Sequence, residues 1–388
     1  MKEVKKFVYI ALVAGGMLGS FISCDYLDVS KELSENLTLE QVFNNPGYTK
    51  RWQANIYNCI PNYSEMGKEA TTGFTGIWNL MSGQVVANTT AVGTQMLTGF
   101  NSSNASFHRW ATLYKYIRQG FIFLDNAKDY MGSEQDVSYI SKKDMDRLKA
   151  ETKFLIAYSY FSLFELYGPV PLITEIEDPE NKTIDYPRAS VDEIVNYIDR
   201  LLQEVLDSNA LPETLFTESA SGSLDYEHNN DRYNLKEIVR PTKVTVLALR
   251  AKLWVYAASP LFNGGYGEAL QLTNKDGKHL FPDEDKTKWN TAKTHLETLF
   301  TFAEAKGHKL YYSKPGSNGL PDPNLSVYEL FQYYNDEILW ANGNNSYRIV
   351  GNDMERRTCP RGANGFCNIG LYQEGVDAFF TKNGLTIE

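Results

Sequence analysis

A nearly continuous apolar stretch, ETKFLIAYSYFSLFELYGPVP, runs from Glu151 to Pro171 at mid-chain. Between Phe154 and Tyr167 the only polar residues are Ser159, Ser162 and Glu165. A helix with this pattern is apolar on nearly all sides and must be buried. The helix is expected to end at Gly168, which can adopt a positive φ, because Pro169 cannot continue it. The pattern predicts a buried central helix.

Apolar residues also recur at helical spacing on both sides of this stretch. Capping boxes at Thr38 with Gln41 and at Ser190 with Glu193 mark helix starts, and Pro46-Gly47 is expected to interrupt the first helical region. The further predicted helices run from Trp110 to a stop at Gly132, from Val191 through Val205, from Pro241 to a stop before Pro260, and from Ala292 to a stop at Gly307.

These helices predict three helix hairpins in series, a mainly α architecture of stacked tetratricopeptide-like units. The strict consensus of the tetratricopeptide repeat is not visible in the sequence. Two polar segments interrupt the pattern, a Gly, Thr, Ser and Asn-rich loop from Met66 to Ser106 and a polar excursion from Glu213 to Arg240. Loops as long as the first are uncommon in compact domains and are often functional.

The first residues have the pattern of a secretory signal. Three lysines precede an apolar run from Phe7 to Phe21 that is too short to span a bilayer as a helix. The run ends in Phe21-Ile22-Ser23-Cys24, which is similar to a bacterial lipobox cleaved before Cys24, although Leu is usual where Phe21 stands. We expect residues 1–23 to be a lipoprotein signal peptide and Cys24 to be lipidated; an ordinary secretory signal is the alternative.

The charge of the chain argues against a nucleic-acid partner. The sequence has 38 basic and 48 acidic residues, a net charge of −10. Loss of residues 1–23 removes three lysines and one glutamate, which leaves 35 basic and 47 acidic residues and a net charge of −12. No basic stretch offsets this repulsion from phosphates.

The remaining cysteines suggest no metal site. Cys359 and Cys367 lie in a glycine-rich stretch and could pair, but their spacing fits no zinc pattern, and Cys59 makes the number of these cysteines odd. No role is assigned to them, and no cofactor is expected.

The order of residues in the central stretch is more specific than its hydrophobicity. Its Ala-Tyr-x-Tyr-Phe core and its Leu-Tyr-Gly-x-Val-Pro-Leu-Ile exit resemble the signature helix of the SusD/RagB family of Bacteroidetes outer-membrane lipoproteins. Other matching segments, in the family's order, are Ile56-Tyr57, Ser190 to Pro212, Ala248 to Lys252 (with Lys252 where Arg is usual), Trp289 to Leu310, the strand-like Glu337 to Trp340, and Gln373 to Gly384.

The resemblance implies a single SusD-like domain over residues 24–388, with an N-terminal half at 24–225 and an incomplete C-terminal half at 226–388. It implies a mainly α fold of stacked hairpins with long loops and a few short strands. Family members continue well beyond Gly384, so the chain is expected to be truncated at Glu388 and to expose apolar surface near Phe379 and Phe380.

The resemblance also implies a non-catalytic receptor, lipid-anchored on the extracellular face of the outer membrane. Such a receptor binds an oligosaccharide or similar nutrient and delivers it to a SusC-like TonB-dependent transporter. Family ligand contacts lie on variable loops, so no contact residue is carried over by position.

Two stretches combine flat aromatic residues with amides and are therefore candidate sugar-binding loops. The candidate residues are Trp78, Asn79 and Gln84, followed by Asn88, in the first stretch, and Trp340, Asn342, Tyr347 and Arg348 in the second. Each aromatic residue has a structural alternative: Trp78 as a packing plug of its loop and Trp340 as a core residue. Trp52, Trp110 and Trp254 lie on helix stripes and are expected in the core.

No catalytic arrangement rises above background. The five histidines form no metal-binding or triad motif, and no glycine-rich phosphate loop follows a strand. Glu165 is the most tempting acid for a glycosidase, but a carboxylate satisfied by a Tyr hydroxyl or a backbone amide is the favoured interpretation. A tetratricopeptide scaffold that binds only proteins, and a surface glycoside hydrolase, remain as alternative functions.

Overall fold

The computed structural model describes residues 37–61, 82, 85–87, 109–176, 185–217, 232–316, 319–343, 359–367, 369–381 and 383–386. Within these residues lie ten α-helices: α1 Leu39–Asn44, α2 Pro46–Ile56, α3 Trp110–Asn126, α4 Lys142–Tyr167, α5 Val191–Asp207, α6 Lys243–Ala258, α7 Gly267–Leu270, α8 Lys288–Ala305, α9 Pro323–Leu330 and α10 Gln373–Asp377. Strands β1 Val85–Ala87 and β2 Ile369–Leu371 pair antiparallel, with Val86 opposite Gly370.

Helix α4 is the buried centre predicted from the sequence. Nearly every residue from Ala150 to Phe164 is buried, and Tyr160 and Phe154 are among the largest fully buried side chains. The helix begins earlier than its apolar run, because Ser141 caps the N–H of Asp144 and a polar first turn precedes the buried part. It ends at Gly168, whose φ is +65°.

The long helices pack side by side in chain order around α4. Helix α3 packs on α4, α4 on α5, α5 on α6 and α6 on α8, while α2 packs on both α3 and α4. The main core cluster contains residues from each of the helices α1 to α6. A smaller cluster lies between α6 and α8. The series of packed helices that periodicity predicted is therefore present.

Close approach and polar ties fix these helices against each other. At Gly120 of α3, a Cβ atom would lie 2.7 Å from Cγ1 of Ile156 in α4, so a larger residue would force Ile156 or the helices to move. Between α5 and α6, Asp199 accepts hydrogen bonds from Arg250 Nε at 2.6 Å and from Trp254 Nε1 at 2.8 Å. These contacts bring α3 close to α4 and tie α5 to α6.

Several helix ends differ from the sequence-based expectation. Helix α3 ends at Asn126 rather than at Gly132, because Ala127 is extended and Met131 then pairs with Ile140. Pro46 begins α2 instead of interrupting a helix, since the first helical position needs no N–H. Helix α6 begins at Lys243 after a capping box of Thr242 with Thr245, so Pro241 only precedes it.

Two further expectations are wrong. Trp110 is not a core residue: it is 38% exposed and packs against Tyr114 and Tyr167 at the first turn of α3. The segment Glu337 to Trp340 forms turns and bends rather than a strand. In contrast, Trp52 and Trp254 are half-buried against the core as expected.

Among the residues described, none of the helices has both the length and the hydrophobicity needed to cross a bilayer.

Candidate functional site

A cavity of about 560 Å³ opens between α4, α6 and the segment that begins at Trp340. Its volume lies within the range typical of small-molecule sites. The wall is mainly apolar and carries a few polar groups, formed by Ile60, Pro61, Tyr158, Phe161, Ser162, Glu165, Thr245, Ala248, Leu249, Lys252, Trp340, Ala341 and Asn342. A mainly apolar wall with a few placed polar groups is the usual composition of a ligand site.

Trp340 is fixed firmly at one side of this cavity. Its indole Nε1 donates to the carbonyl of Val239 at 2.8 Å. Its ring lies edge-on to Phe154 and Tyr158, with centroid distances of 5.5 and 5.4 Å. Trp340 therefore packs against the core, as its structural alternative proposed, and also lines the cavity.

Glu165 supplies a largely buried carboxylate to the same cavity. Its side chain is 7% exposed. Its Oε1 accepts hydrogen bonds from Tyr256 Oη at 2.7 Å and Lys252 Nζ at 3.0 Å. The Tyr hydroxyl is the partner that the non-catalytic interpretation of Glu165 required. Oε2 has no hydrogen-bond partner among the residues that the structure describes.

Lys252 provides the matching cation at the mouth of the cavity. Its side chain is 51% exposed, and its ammonium group lies 5.0 Å from the ring centre of Phe161 and 5.4 Å from that of Tyr256. Two aromatic faces and one carboxylate thus hold the ammonium in place while part of it remains open to solvent. The arrangement offers a donor and an acceptor next to each other.

The structure brings together only some of the candidate residues. Trp340 and Asn342 line one cavity, whereas Trp78, Asn79, Gln84, Asn88, Tyr347 and Arg348 lie outside the described residues, as does Cys24. Ile60 and Pro61, which also line the cavity, precede the long loop from Met66 to Ser106. Described residues that precede the first candidate stretch, Ile60 and Pro61, and the first residues of the second, Trp340 to Asn342, therefore line the same cavity.

Sequence reasoning missed Lys252, Tyr158 and Ser162 as lining residues. Lys252 had a weak signal, because it is a charged position in the mainly apolar helix α6 and replaces a residue that is usually Arg in the resembling helix. Tyr158 and Ser162 had none, since they lie in a helix that is buried on nearly all sides. Across the described part of the chain, no cluster of His, Cys, Asp and Glu has the arrangement of a metal site.

Comparison with known proteins gives the family. Residues 25–223 match the family model SusD-like_3, described as "Starch-binding associating with outer membrane". A comparison with curated proteins found no match.

Solved structures share the fold. The selenomethionine form of BT4246 is 20% identical with a TM-score of 0.58, covering 87% of this chain and 57% of that one. A SusD-like protein (BF3747) from Bacteroides fragilis NCTC 9343 is 16% identical with a TM-score of 0.54, covering 89% and 55%. This chain thus spans about half the length of these structures. The family match and the shared helical architecture lead to one conclusion: the chain belongs to the SusD/RagB family.

Proposed function

We propose that this protein is a cell-surface lipoprotein that binds an oligosaccharide and delivers it to a SusC-like TonB-dependent outer-membrane transporter. The family description supports glycan binding at the outer membrane. The observation that carries the proposal for this chain is the cavity at Trp340, where aromatic side chains, an amide and a donor and acceptor pair converge.

The chemistry of the cavity suits a sugar. Sugar rings present C–H faces that pack on aromatic planes, and hydroxyl edges that need donors and acceptors. Tyr158, Phe161 and Trp340 offer apolar contact. Lys252 Nζ donates to one ligand hydroxyl and Glu165 Oε2 accepts from its neighbour, so that the pair binds adjacent hydroxyls while the Asn342 amide contacts a third.

The proposed anchor is the acylated Cys24. A diacylglyceryl thioether and an acylated amine place three chains in the membrane, and each buried methylene contributes roughly 0.8 kcal/mol. Three chains make such anchoring effectively permanent. The stacked helices would then form a rigid platform toward the transporter, with the loops facing the ligand.

Calorimetric titration tests the proposed site. The purified chain without residues 1–23 is titrated with a panel of oligosaccharides that includes α-glucan fragments of starch. We expect one class to bind, and Lys252→Met to weaken its affinity about tenfold, since a hydrogen bond to a charged group contributes roughly 1.5–3 kcal/mol. Lys142→Met is the matched control, because Lys142 is also an exposed lysine with one carboxylate partner, Asp146 at 3.0 Å.

Other outcomes separate the alternatives. Binding that Lys252→Met leaves unchanged would move the site away from this cavity. A panel with no binding at all would favour the tetratricopeptide scaffold that contacts only proteins. New reducing ends after incubation with the panel would instead indicate a glycoside hydrolase.

A further inference from the structure

The segment from Cys359 to Cys367 folds into a closed loop just before β2. The N–H of Cys367 donates to the carbonyl of Cys359 at 3.1 Å, so the two cysteines meet at the neck of the loop. Inside it, Pro360 accepts from the N–H groups of Ala363 at 2.9 Å and Gly365 at 3.1 Å around a 3-10 turn. Both cysteines are thiols in this structure.

The two sides of the neck approach each other closely. A Cβ atom on Gly365 would lie 2.0 Å from the carbonyl oxygen and 2.6 Å from the Cβ of Cys359, so glycine is needed at this position. Cys367 itself has a φ of +53°, a left-handed conformation that L residues other than glycine rarely adopt. The loop therefore depends on Gly365 for its closure and keeps Cys367 beside Cys359.

The geometry of the neck is compatible with a covalent bond. The 3.1 Å hydrogen bond from the N–H of Cys367 to the carbonyl oxygen of Cys359 keeps the two backbone segments close at the neck. Disulfides join cysteines whose Cα atoms are about 4.4–6.8 Å apart. Two cysteines held at the neck of a closed loop in this way are therefore candidates for a disulfide.

We propose that Cys359 and Cys367 form a disulfide that locks this loop when the protein meets an oxidising thiol-exchange partner. The oxidant is a low-molecular-weight or protein disulfide. The thiolate of the exposed Cys367 attacks it, forming a mixed disulfide and releasing one thiolate. The thiolate of Cys359 then attacks Cys367 Sγ, expelling the second thiolate. Two thiols are oxidised, one disulfide is reduced to two thiols, and no net proton is gained or lost.

Cys59 does not compete for this exchange. Its side chain is fully buried. Burial raises the pKa of its thiol to about 12, so almost none of the reactive thiolate forms at neutral pH. Cys59 thus serves as an internal control within the same molecule.

The disulfide would act on the strand pair next to a candidate ligand loop. Strand β2 begins two residues after Cys367, and its Leu371 pairs with Val85, which directly follows the candidate residue Gln84. A disulfide in the loop would limit the conformations of the segment that leads into β2, and β2 pairs with β1. The proposal does not depend on glycan binding, since it concerns only the two thiols.

Peptide mapping tests the disulfide directly. The full chain is equilibrated with mixtures of reduced and oxidised glutathione, its thiols are blocked with iodoacetamide in denaturant, and it is digested with trypsin without a reductant. Trypsin cleaves at Arg361 inside the loop, so a disulfide keeps the peptide Thr358–Arg361 joined to the peptide Gly362–Lys382. We expect this joined species, which reduction separates, while the Cys59 peptide is alkylated.

A variant gives the quantitative control. In Cys359→Ser, Cys367 can form only a mixed disulfide with glutathione. For each protein we measure the glutathione mixture at which half of the molecules are oxidised. We expect this midpoint to be at least tenfold more reducing for the native pair than for Cys367 in the variant, because the second step of the native reaction is intramolecular. Alkylation of both cysteines in every mixture, equal midpoints for the two proteins, or linkage of either cysteine to another peptide would overturn the proposal.

Discussion

Arg240 donates from Nε to Oε1 of Glu151 at 2.8 Å, tying the segment before α6 to the buried helix α4. The side chain of Glu151 has 0% exposure, and it also accepts from Arg147 Nε at 3.0 Å and from Tyr57 Oη at 2.8 Å. Burial, together with the adjacent carboxylate, raises the pKa of Tyr57 well above its ordinary value, so the phenol remains a donor. Glu237, which is more exposed, forms ion pairs with both Arg147 and Arg240.

Removal of Arg240 should destabilise the fold. Arg240→Met leaves the buried carboxylate of Glu151 with one cation instead of two, and breaking a buried ion pair costs roughly 3–5 kcal/mol. Because Arg147 remains, we expect a loss of about 2–3 kcal/mol in the free energy of unfolding, measured by denaturant titration. Arg200→Met is the matched control, since Arg200 is 60% exposed and pairs with Glu204 at 3.1 Å; its loss should stay below about 1 kcal/mol. Equal losses would contradict the role of burial.

A methyl group at Gly120 should disturb the contact between α3 and α4. Its Cβ would lie 2.7 Å from Cγ1 and 2.9 Å from Cδ1 of Ile156. Overpacking costs about 1–3 kcal/mol, and alanine recovers up to about 1 kcal/mol of helix propensity, so we expect Gly120→Ala to lose about 1–2 kcal/mol. Thermal unfolding gives the measurement.

A double-mutant cycle assigns that loss to the clash. Ile156→Ala alone should destabilise by roughly 2–5 kcal/mol because it leaves a cavity. In the Gly120→Ala background the same substitution should cost less, since it also removes the clash. Strictly additive losses would show that the clash is not the cause.

Stability should decline between pH 7 and pH 5.5 through a buried histidine. Burial lowers the pKa of His308 below its ordinary value of 6.5, although Asp336 opposes the shift. The Nδ1 atom of His308 lies 2.8 Å from the carbonyl oxygen of Asp336, and within the described residues its buried Nε2 has no partner. The unfolded chain therefore binds more protons than the folded one, and stability present above pH 6.5 is lost as the pH falls below it.

The comparison of two histidine variants checks this origin. His308→Gln should flatten the decline in the free energy of unfolding over that range, whereas His279→Gln, at an exposed position, should retain it. Part of the decline should survive in both variants, because burial also lowers the pKa of His295. Burial would raise the pKa of Asp336, but its hydrogen bonds with Arg232 and Tyr233 lower it below 3.8, so that carboxyl stays ionised throughout. A slope unaffected by His308→Gln would refute the assignment.

The pairing of Arg250 with Asp199 should not tolerate lysine. Arg250 contacts both carboxylate oxygens, from Nε at 2.6 Å and from Nη2 at 2.9 Å. Lysine keeps the charge but loses the two-point geometry, so we expect Arg250→Lys to cost about 1–2 kcal/mol. Arg200→Lys should cost little by comparison, because Arg200 is 60% exposed and its ion pair with Glu204 uses only one nitrogen. Denaturant unfolding of both variants decides the point.

The sequence predicted correctly those features of the fold that depend on neighbouring residues. The central helix, the capping boxes at Thr38 and Ser190, and the stops at Gly168 and Gly307 all depend on residues close in sequence. Periodicity also gave the order of the packed helices. It failed for Trp110, because spacing shows which residues share a helix face but not whether another element covers that end of the helix.

The candidate site shows the same division. The sequence by itself determined an apolar helix that must be buried, its caps and ends, and aromatic residues beside amides in the segment that begins at Trp340. Only the tertiary structure decided that Ile60, Glu165, Lys252 and Trp340 line one cavity. Residues this far apart in the chain meet only when packing fixes the position of each helix, and neither periodicity nor residue type encodes that position.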